Sequence, residues 1–158
     1  KGILAEPAKS YHKDLKINRN ADIETRCVWK DSTSTLTFNE INSTGLSTIN
    51  EFSDSDKWKN ERKFGKKYKV KTISLNKLLE DNKAPKHIDY LSIDTEGSEY
   101  EILEAFDFSK YRISIITCEH NFSKEREKIL KLLNKNGYQR VFQGLSRWDD
   151  WYIKNNNE

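Results

Sequence analysis

The amino-acid sequence predicts an α/β domain with a mostly parallel sheet, helices on both faces of the sheet and a C-terminal antiparallel hairpin. Apolar strand-like runs alternate with amphipathic helix-like segments, an order typical of parallel strands joined by helical crossovers. Two of the runs, 88–93 and 113–118, are almost continuously apolar, as in strands covered on both faces. A chain of 158 residues also fits one domain with one core. We therefore expect a single domain over 1–154 and a frayed tail at 155–158.

The first half of the chain begins with two predicted strands on either side of a helix. The first strand, 3–6, ends in Glu6 and precedes Pro7, which a helix tolerates best in its first turn. The run 23–28 predicts the second strand of the parallel core. The alternating stretch 35–41 predicts an exposed or edge strand.

The next stretch, 42–67, is rich in Ser, Thr, Asn and Lys and has little periodicity, so we expect a loop or insertion with a short helix in it. A basic segment, 57–71, begins there and carries eight Lys or Arg against one acid, Glu61. Such a segment could bind an anionic substrate or nucleic acid, or could be a solvated loop. The aromatic spacing, zinc-ligand spacing and recognition helix of nucleic-acid-binding domains are absent, which argues against a nucleic-acid partner.

The second half of the chain carries clearer start and stop signals. Ser98 and Glu101 form a predicted capping box, and Ser123 is the predicted N-cap of the next helix. Gly137 is the predicted end of that helix. The strands of the predicted parallel core are 3–6, 23–28, 88–93 and 113–118. The antiparallel strands expected at one edge, around Gly144, are 138–142 and 150–153.

Composition excludes several classes of protein. No apolar run approaches the ~18 residues of a membrane-spanning helix, and the N-terminus has no signal-peptide pattern, so we expect no membrane partner. The low cysteine count favours a reducing, cytoplasmic compartment. Two cysteines, Cys27 and Cys118, are too few for a disulfide scaffold or a cysteine-rich zinc site and are expected to be buried free thiols. The sequence contains no Met and starts at Lys1, so we expect a piece of a longer protein.

Acidic side chains follow three of the predicted strands, at the edge where parallel sheets bind ligands. Glu6 follows the first strand, Asp94 and Glu96 the third, and Glu119 with His120 the fourth. A carboxylate placed there can accept both hydroxyls of a ribose, or can complement the dipole of the following helix. His120 is either a general base or a polar residue that holds the turn. Together with His120, the carboxylates of Asp94, Glu96 and Glu119 are also a loose candidate set for a divalent metal.

The stretch 88–103, Ile-Asp-Tyr-Leu-Ser-Ile-Asp-Thr-Glu-Gly-Ser-Glu-Tyr-Glu-Ile-Leu, resembles the signature of the FkbM-type methyltransferases. The preceding Val-Lys-Thr-Ile-Ser-Leu at 70–75 fits the same pattern. Residues 3–7 resemble the second-strand motif of that family, and 113–121 resemble a later strand end. The resemblance covers about residues 3–142.

This resemblance implies a class I, Rossmann-like methyltransferase fold, S-adenosyl-L-methionine as the cofactor, and methyl transfer to a hydroxyl oxygen of a sugar or related small metabolite. Glu6 would then hold the ribose of the cofactor, and Cys27 and Val28 would lie beside its adenine. Residues 94–96 would line the junction of cofactor and acceptor, with Asp94 also contacting the cofactor. The candidate catalytic residues are Asp94, Glu96 and His120, and no metal is assigned.

The sequence also departs from the family pattern. Asn76 and Ser92 stand where the family usually has Asp and Lys, and the six glycines never form the Gly-x-Gly of the family's first turn. We therefore expect the first strand and first helix of the fold to be missing. Two strand edges would then be open, which predicts poor cofactor binding and a homo-oligomer paired through those edges. The alternative is local closure, in which 2–6 pairs directly beside 88–93 in the same chain. A non-catalytic remnant or self-associating module of the same fold and a metal-dependent hydrolase remain as alternatives.

Overall fold

In the computed structural model, residues 1–41 and 45–155 are described, and they form strands and helices in alternation. The strands are β1 (Ile3–Ala5), β2 (Asp22–Glu24), β3 (Cys27–Trp29), β4 (Thr35–Glu40), β5 (Thr48–Ile49), β6 (Lys66–Ser74), β7 (His87–Ile93), β8 (Arg112–Glu119), β9 (Tyr138–Val141) and β10 (Asp149–Lys154). The α-helices are α1 (His12–Asn18), α2 (Lys59–Arg62), α3 (Leu75–Asp81), α4 (Glu99–Glu104) and α5 (Glu125–Lys135). Short 3₁₀ helices cover Lys9–Tyr11 and Asn50–Phe52.

The C-terminal half forms a four-stranded sheet in the order β7-β8-β10-β9. Strands β7 and β8 are parallel neighbours, with Ile88 opposite Ile113 and Ile93 opposite Cys118. Strand β10 runs antiparallel to both β8 and β9. The predicted parallel pair and the predicted C-terminal hairpin are therefore confirmed. Helices α3, α4 and α5 cover this sheet, and they contribute much of the larger apolar core.

The N-terminal half differs from the single parallel sheet that the sequence predicts. Strands β1 and β2 pair in parallel with each other, while β3, β6, β4 and β5 form a separate four-stranded sheet. In that second sheet only the β3–β6 pair is parallel. The molecule therefore has mixed sheets, because β4 lies antiparallel to both of its partners.

Two of the predicted strands need correction. The predicted strand 23–28 is split, because Glu24 accepts the backbone N–H of Arg26 at 2.8 Å and binds its guanidinium. This contact closes a turn between β2 and β3. The two strands then belong to different sheets, because β2 pairs with β1 and β3 pairs with β6. The predicted exposed or edge strand 35–41 is β4, which lies between β6 and β5 and buries Phe38.

The predicted helix ends are confirmed in part. Gly137 has φ +76°, a conformation that glycine adopts without strain, and it directly follows the end of α5. Ser98 occupies the predicted N-cap position of α4, but it makes no capping hydrogen bond and donates its hydroxyl to the Thr95 hydroxyl. The predicted N-cap Ser123 is wrong, because α5 begins two residues later, after Lys124. The Glu99 carboxylate accepts the backbone N–H groups of Thr95 and Gly97, and it thereby holds the turn that precedes α4.

The predicted loop 42–67 contains the expected short helix, α2, and also strand β5 and the second 3₁₀ helix. Residues 42–44 lie outside the described part of the chain, as do 156–158 of the predicted frayed tail. Among the described helices, none has the length and apolarity needed to cross a membrane.

Candidate active site

A cleft lies between the N-terminal sheets and the end of β7, and its enclosed part measures about 120 Å³. Five of the six predicted site residues line it: Glu6, Cys27, Val28, Asp94 and Glu96. The other side chains that face it include Tyr11, Phe38, Ser47 and Ile49. The enclosed volume is smaller than the roughly 300–1,000 Å³ of pockets that surround a drug-sized ligand. A nucleoside-sized ligand would therefore extend beyond the enclosed part.

Glu6 follows β1 directly, and two hydrogen bonds with nearby backbone groups hold it at the cleft. Its N–H donates to the Glu24 carbonyl, and its Oε1 accepts the Ala8 N–H at 2.8 Å. Partial burial raises the pKa of Glu6, although the Ala8 N–H opposes this effect. The negative charge of Asp94, across the cleft, also raises the pKa of Glu6.

Cys27 and Val28 on β3 give the cleft an apolar wall. The Cys27 side chain is buried, and burial raises the pKa of its thiol to about 12, so the sulfur stays protonated at neutral pH. Phe38 on β4 and Ile49 on β5, two other strands of the same sheet, extend this wall. An apolar wall of this kind suits the face of a flat heterocyclic ring.

Asp94 and Glu96 lie in the sharp turn that follows β7. Glu96 has φ +58° and Gly97 has φ +122°, and a Cβ at Gly97 would come within 3.1 Å of the Phe52 side chain. Glycine is needed there for both reasons. Asp94 is exposed, whereas Glu96 is buried, and burial raises the pKa of Glu96 to about 7 despite a nearby guanidinium.

That guanidinium belongs to Arg62, a residue that sequence reasoning did not single out. The Arg62 side chain is fully buried and donates to Glu96 Oε2 at 2.9 Å and to Asp56 Oδ1 at 2.8 Å. It also donates to the Leu46 carbonyl. Asn121 donates to the same Glu96 oxygen at 3.1 Å. The buried carboxylate is therefore held in place from two sides.

Glu119, the last residue of β8, joins Asp94 and Glu96. One carboxylate oxygen of each of the three residues lies within 4.8 Å of the others. This convergence follows from the parallel pairing of β7 and β8, which brings their carboxyl ends together. Burial, reinforced by the charges of Asp94 and Glu96, raises the pKa of Glu119 to about 10.

His120 does not line the cleft. Its Nδ1 accepts the Phe122 N–H at 3.0 Å, which assigns the proton of the neutral ring to Nε2. Nε2 faces Asp150 at 3.8 Å, and the ring packs edge-on against Phe122. Burial lowers the pKa of His120. Although Glu119 and His120 are adjacent in the sequence, the side chain of Glu119 approaches Asp94 and Glu96, whereas that of His120 faces Asp150.

Comparison with known proteins gives a single result. The family model of the methyltransferase FkbM domain matches residues 1–140. No curated protein and no solved structure matches the chain. The family match covers most of the chain, includes the cleft residues described above, and supports methyl transfer as the general activity. The protein belongs to the FkbM methyltransferase domain family.

Proposed function

We propose that this domain binds S-adenosyl-L-methionine and transfers its methyl group to a hydroxyl oxygen of a sugar or a related small metabolite. The observation that carries this proposal is the placement of Glu6, Cys27, Val28 and Asp94 around one cleft in a chain of this family. A carboxylate beside an apolar wall offers the two kinds of contact that an adenosine needs.

The N-terminal side of the cleft fits the cofactor. Glu6 uses Oε1 for the Ala8 N–H, and the ribose hydroxyls would bind at Oε2. The adenine would lie against Cys27 and Val28, whose side chains offer no charge. S-Adenosyl-L-methionine supplies an electrophilic methyl group, so the protein has mainly to align the acceptor oxygen and accept its proton.

The other side of the cleft fits a hydroxyl-bearing acceptor. Asp94 and Glu96 line this part of the cleft, where they would accept hydrogen bonds from the hydroxyl and take up its proton. Beside Asn121, which binds Glu96, the exposed rings of Phe122 and Trp148 pack edge-on with centroids 5.7 Å apart. Their apolar faces offer a surface for a sugar ring, which supports a sugar or related metabolite as the acceptor.

Replacing Glu6 by alanine is expected to weaken the binding of S-adenosylhomocysteine by about 1–3 kcal/mol, because charge-assisted hydrogen bonds to the ribose are lost. Isothermal titration calorimetry measures this change. The ligand is used at millimolar concentration, because the small cleft predicts weak binding. The exposed Glu61→Ala variant is the matched control and should bind as the wild type does. An unchanged dissociation constant for Glu6→Ala would remove Glu6 from the cofactor site.

We also propose that the protein self-associates through its open strand edges. Within the described residues β7 pairs on one side only, with β8, and β1 pairs only with β2. Tyr90 in the middle of β7 is 52% exposed, so this strand is less covered than its apolar sequence predicts. Unpaired edge amides and carbonyls recruit further strands, and a second copy of the chain offers the same edges.

The substitution Ser92→Lys, at an exposed position of β7, is expected to shift the protein toward the monomer. The reason is that a charge on an edge strand opposes strand pairing. Sedimentation velocity over a range of concentrations measures the shift. Asn134→Lys, at an exposed position on α5, adds the same charge away from the edge and should leave the association unchanged. A wild-type protein that stays monomeric at every concentration would contradict the proposal.

A further inference from the structure

Asp94, Glu96 and Glu119 bring three carboxylates close together, an arrangement that methyl transfer by itself does not require. One carboxylate oxygen of each residue lies within 4.8 Å of the others, so three negative charges can coexist there only when a proton or a cation compensates them. We propose that these three residues form a binding site for a hard divalent cation such as Mg²⁺ or Mn²⁺.

The geometry fits such a cation. Oxygen ligands of Mg²⁺ lie at about 2.0–2.1 Å from the metal, so two of them are separated by at most about 4.2 Å. Bonds to Ca²⁺ are longer, at about 2.3–2.6 Å, so two of its oxygen ligands can be separated by about 5 Å. The three oxygens lie within 4.8 Å of one another, so only small side-chain movements would bring them around one ion.

Glu119 supplies the second, independent observation. Its side chain is 8% exposed, and its Oε2 has no hydrogen-bond partner among the described residues. A buried carboxylate oxygen without a donor is costly, and it is uncommon in folded proteins. One of the Glu119 carboxylate oxygens lies within 4.8 Å of oxygens of Asp94 and Glu96, and no guanidinium or N–H group of the described residues donates to Oε2. A cation at the centre of the cluster would satisfy this oxygen.

The Arg62 guanidinium, the positively charged group beside Glu96, does not take the place of the proposed ion. Arg62 donates to Glu96 Oε2, as does Asn121, so Oε1 of Glu96 remains for a metal. Arg62 also pairs with Asp56, so its single charge is shared by two carboxylates. Asp149, which pairs with Glu119 across the sheet, adds further negative charge near Asp94.

The proposed cation would have a role in the proposed function. Bound at the end of the cleft, it would contact the acceptor hydroxyl and lower the pKa of that hydroxyl. The carboxylates would then hold the ion, and the hydroxyl proton would pass to solvent water at the open part of the cleft. Only this role depends on methyl transfer; the binding site itself does not.

The test is a titration of the chelator-treated protein with Mn²⁺. Binding is measured as the loss of the electron paramagnetic resonance signal of free Mn²⁺. We expect one Mn²⁺ per chain, displaced by Mg²⁺, and a rise in the melting temperature when Mn²⁺ is added. Glu119→Gln and Asp94→Asn should each weaken Mn²⁺ binding by about tenfold or more, because each removes a charged ligand. Asp94 is exposed, so its variant should fold even if the Glu119 variant does not.

Asp149→Asn is the matched control, because it removes the same charge from the same end of the sheet without removing one of the three ligands. Its effect on Mn²⁺ affinity should be smaller than that of Asp94→Asn, since it removes a neighbouring charge but no ligand. A wild-type protein that leaves the free Mn²⁺ signal unchanged would overturn the proposal, as would an Asp94→Asn variant that binds Mn²⁺ as the wild type does. None of these measurements contains a cofactor or an acceptor, so their failure would leave the proposed methyl transfer standing.

Discussion

Replacement of Arg62 by methionine is expected to lower the free energy of unfolding by about 3–5 kcal/mol, the usual effect of breaking a buried ion pair. The Arg62 side chain has no exposed surface and holds Asp56 and Glu96 at 2.8 and 2.9 Å. Methionine keeps much of the packing volume, but it leaves two carboxylates without their cation. The loss should therefore come from uncompensated charge more than from a cavity.

Chemical denaturation of the variant measures this change. The control is Lys59→Ala, which removes a positive charge from an exposed position of the same helix and should change stability by about 0.5 kcal/mol or less. A double variant, Arg62→Met with Glu96→Gln, should recover part of the loss, because it also removes one of the unpaired charges. An Arg62→Met protein as stable as the Lys59→Ala control would show that the buried pair does not support the fold.

Replacement of Asp150 by asparagine is expected to lower the free energy of unfolding by about 2–3 kcal/mol, at the lower end for a buried pair because its partners keep some access to water. Asp150 is 2% exposed and accepts two hydrogen bonds from Arg126, at 2.7 and 2.8 Å. Arg140 donates to the same carboxylate at 3.3 Å. The interaction fastens β10 to α5 and β9, so its loss should loosen the C-terminal hairpin.

The effect of Asp150 should depend on pH. Burial works to raise the pKa of Asp150, but hydrogen bonds and charge from Arg126 hold the pKa below its usual value in the folded protein. Its stabilising contribution is therefore complete above the unfolded pKa of about 3.9 and is lost as the pH falls through the lower folded pKa. The difference in unfolding free energy between wild type and Asp150→Asn should shrink over that range. A difference that stays constant down to pH ~2 would contradict this explanation.

The sequence by itself determined the α/β class, the parallel pairing of 88–93 with 113–118, and the C-terminal hairpin. These features depend on local apolar runs and on turns, and a local pattern is enough to specify them. It also predicted that acidic side chains would meet at one end of this sheet, because carboxylates directly follow strands that run in parallel.

Which of two adjacent polar residues joins Asp94 and Glu96 was decided only by the tertiary structure. Glu119 and His120 are both polar residues at the end of β8, and the sequence marks either one as a site residue. The pairing of β8 between β7 and β10 turns Glu119 toward Asp94 and leaves His120 facing Asp150. The direction of a side chain at a strand end is set by the ladder on both sides, which a single strand does not encode.

Arg62 and the order of the N-terminal strands were also decided only by the tertiary structure. Arg62 is one of eight basic residues in 57–71, and no local signal separates it from the exposed ones. Its burial follows from contacts with Asp56 and with Glu96, which is 34 residues away in the sequence. The central position of β4 likewise depends on pairing with β5 and β6 on its two sides. Alternation predicts a strand, but strand order depends on long-range pairing that is absent from any short stretch of sequence.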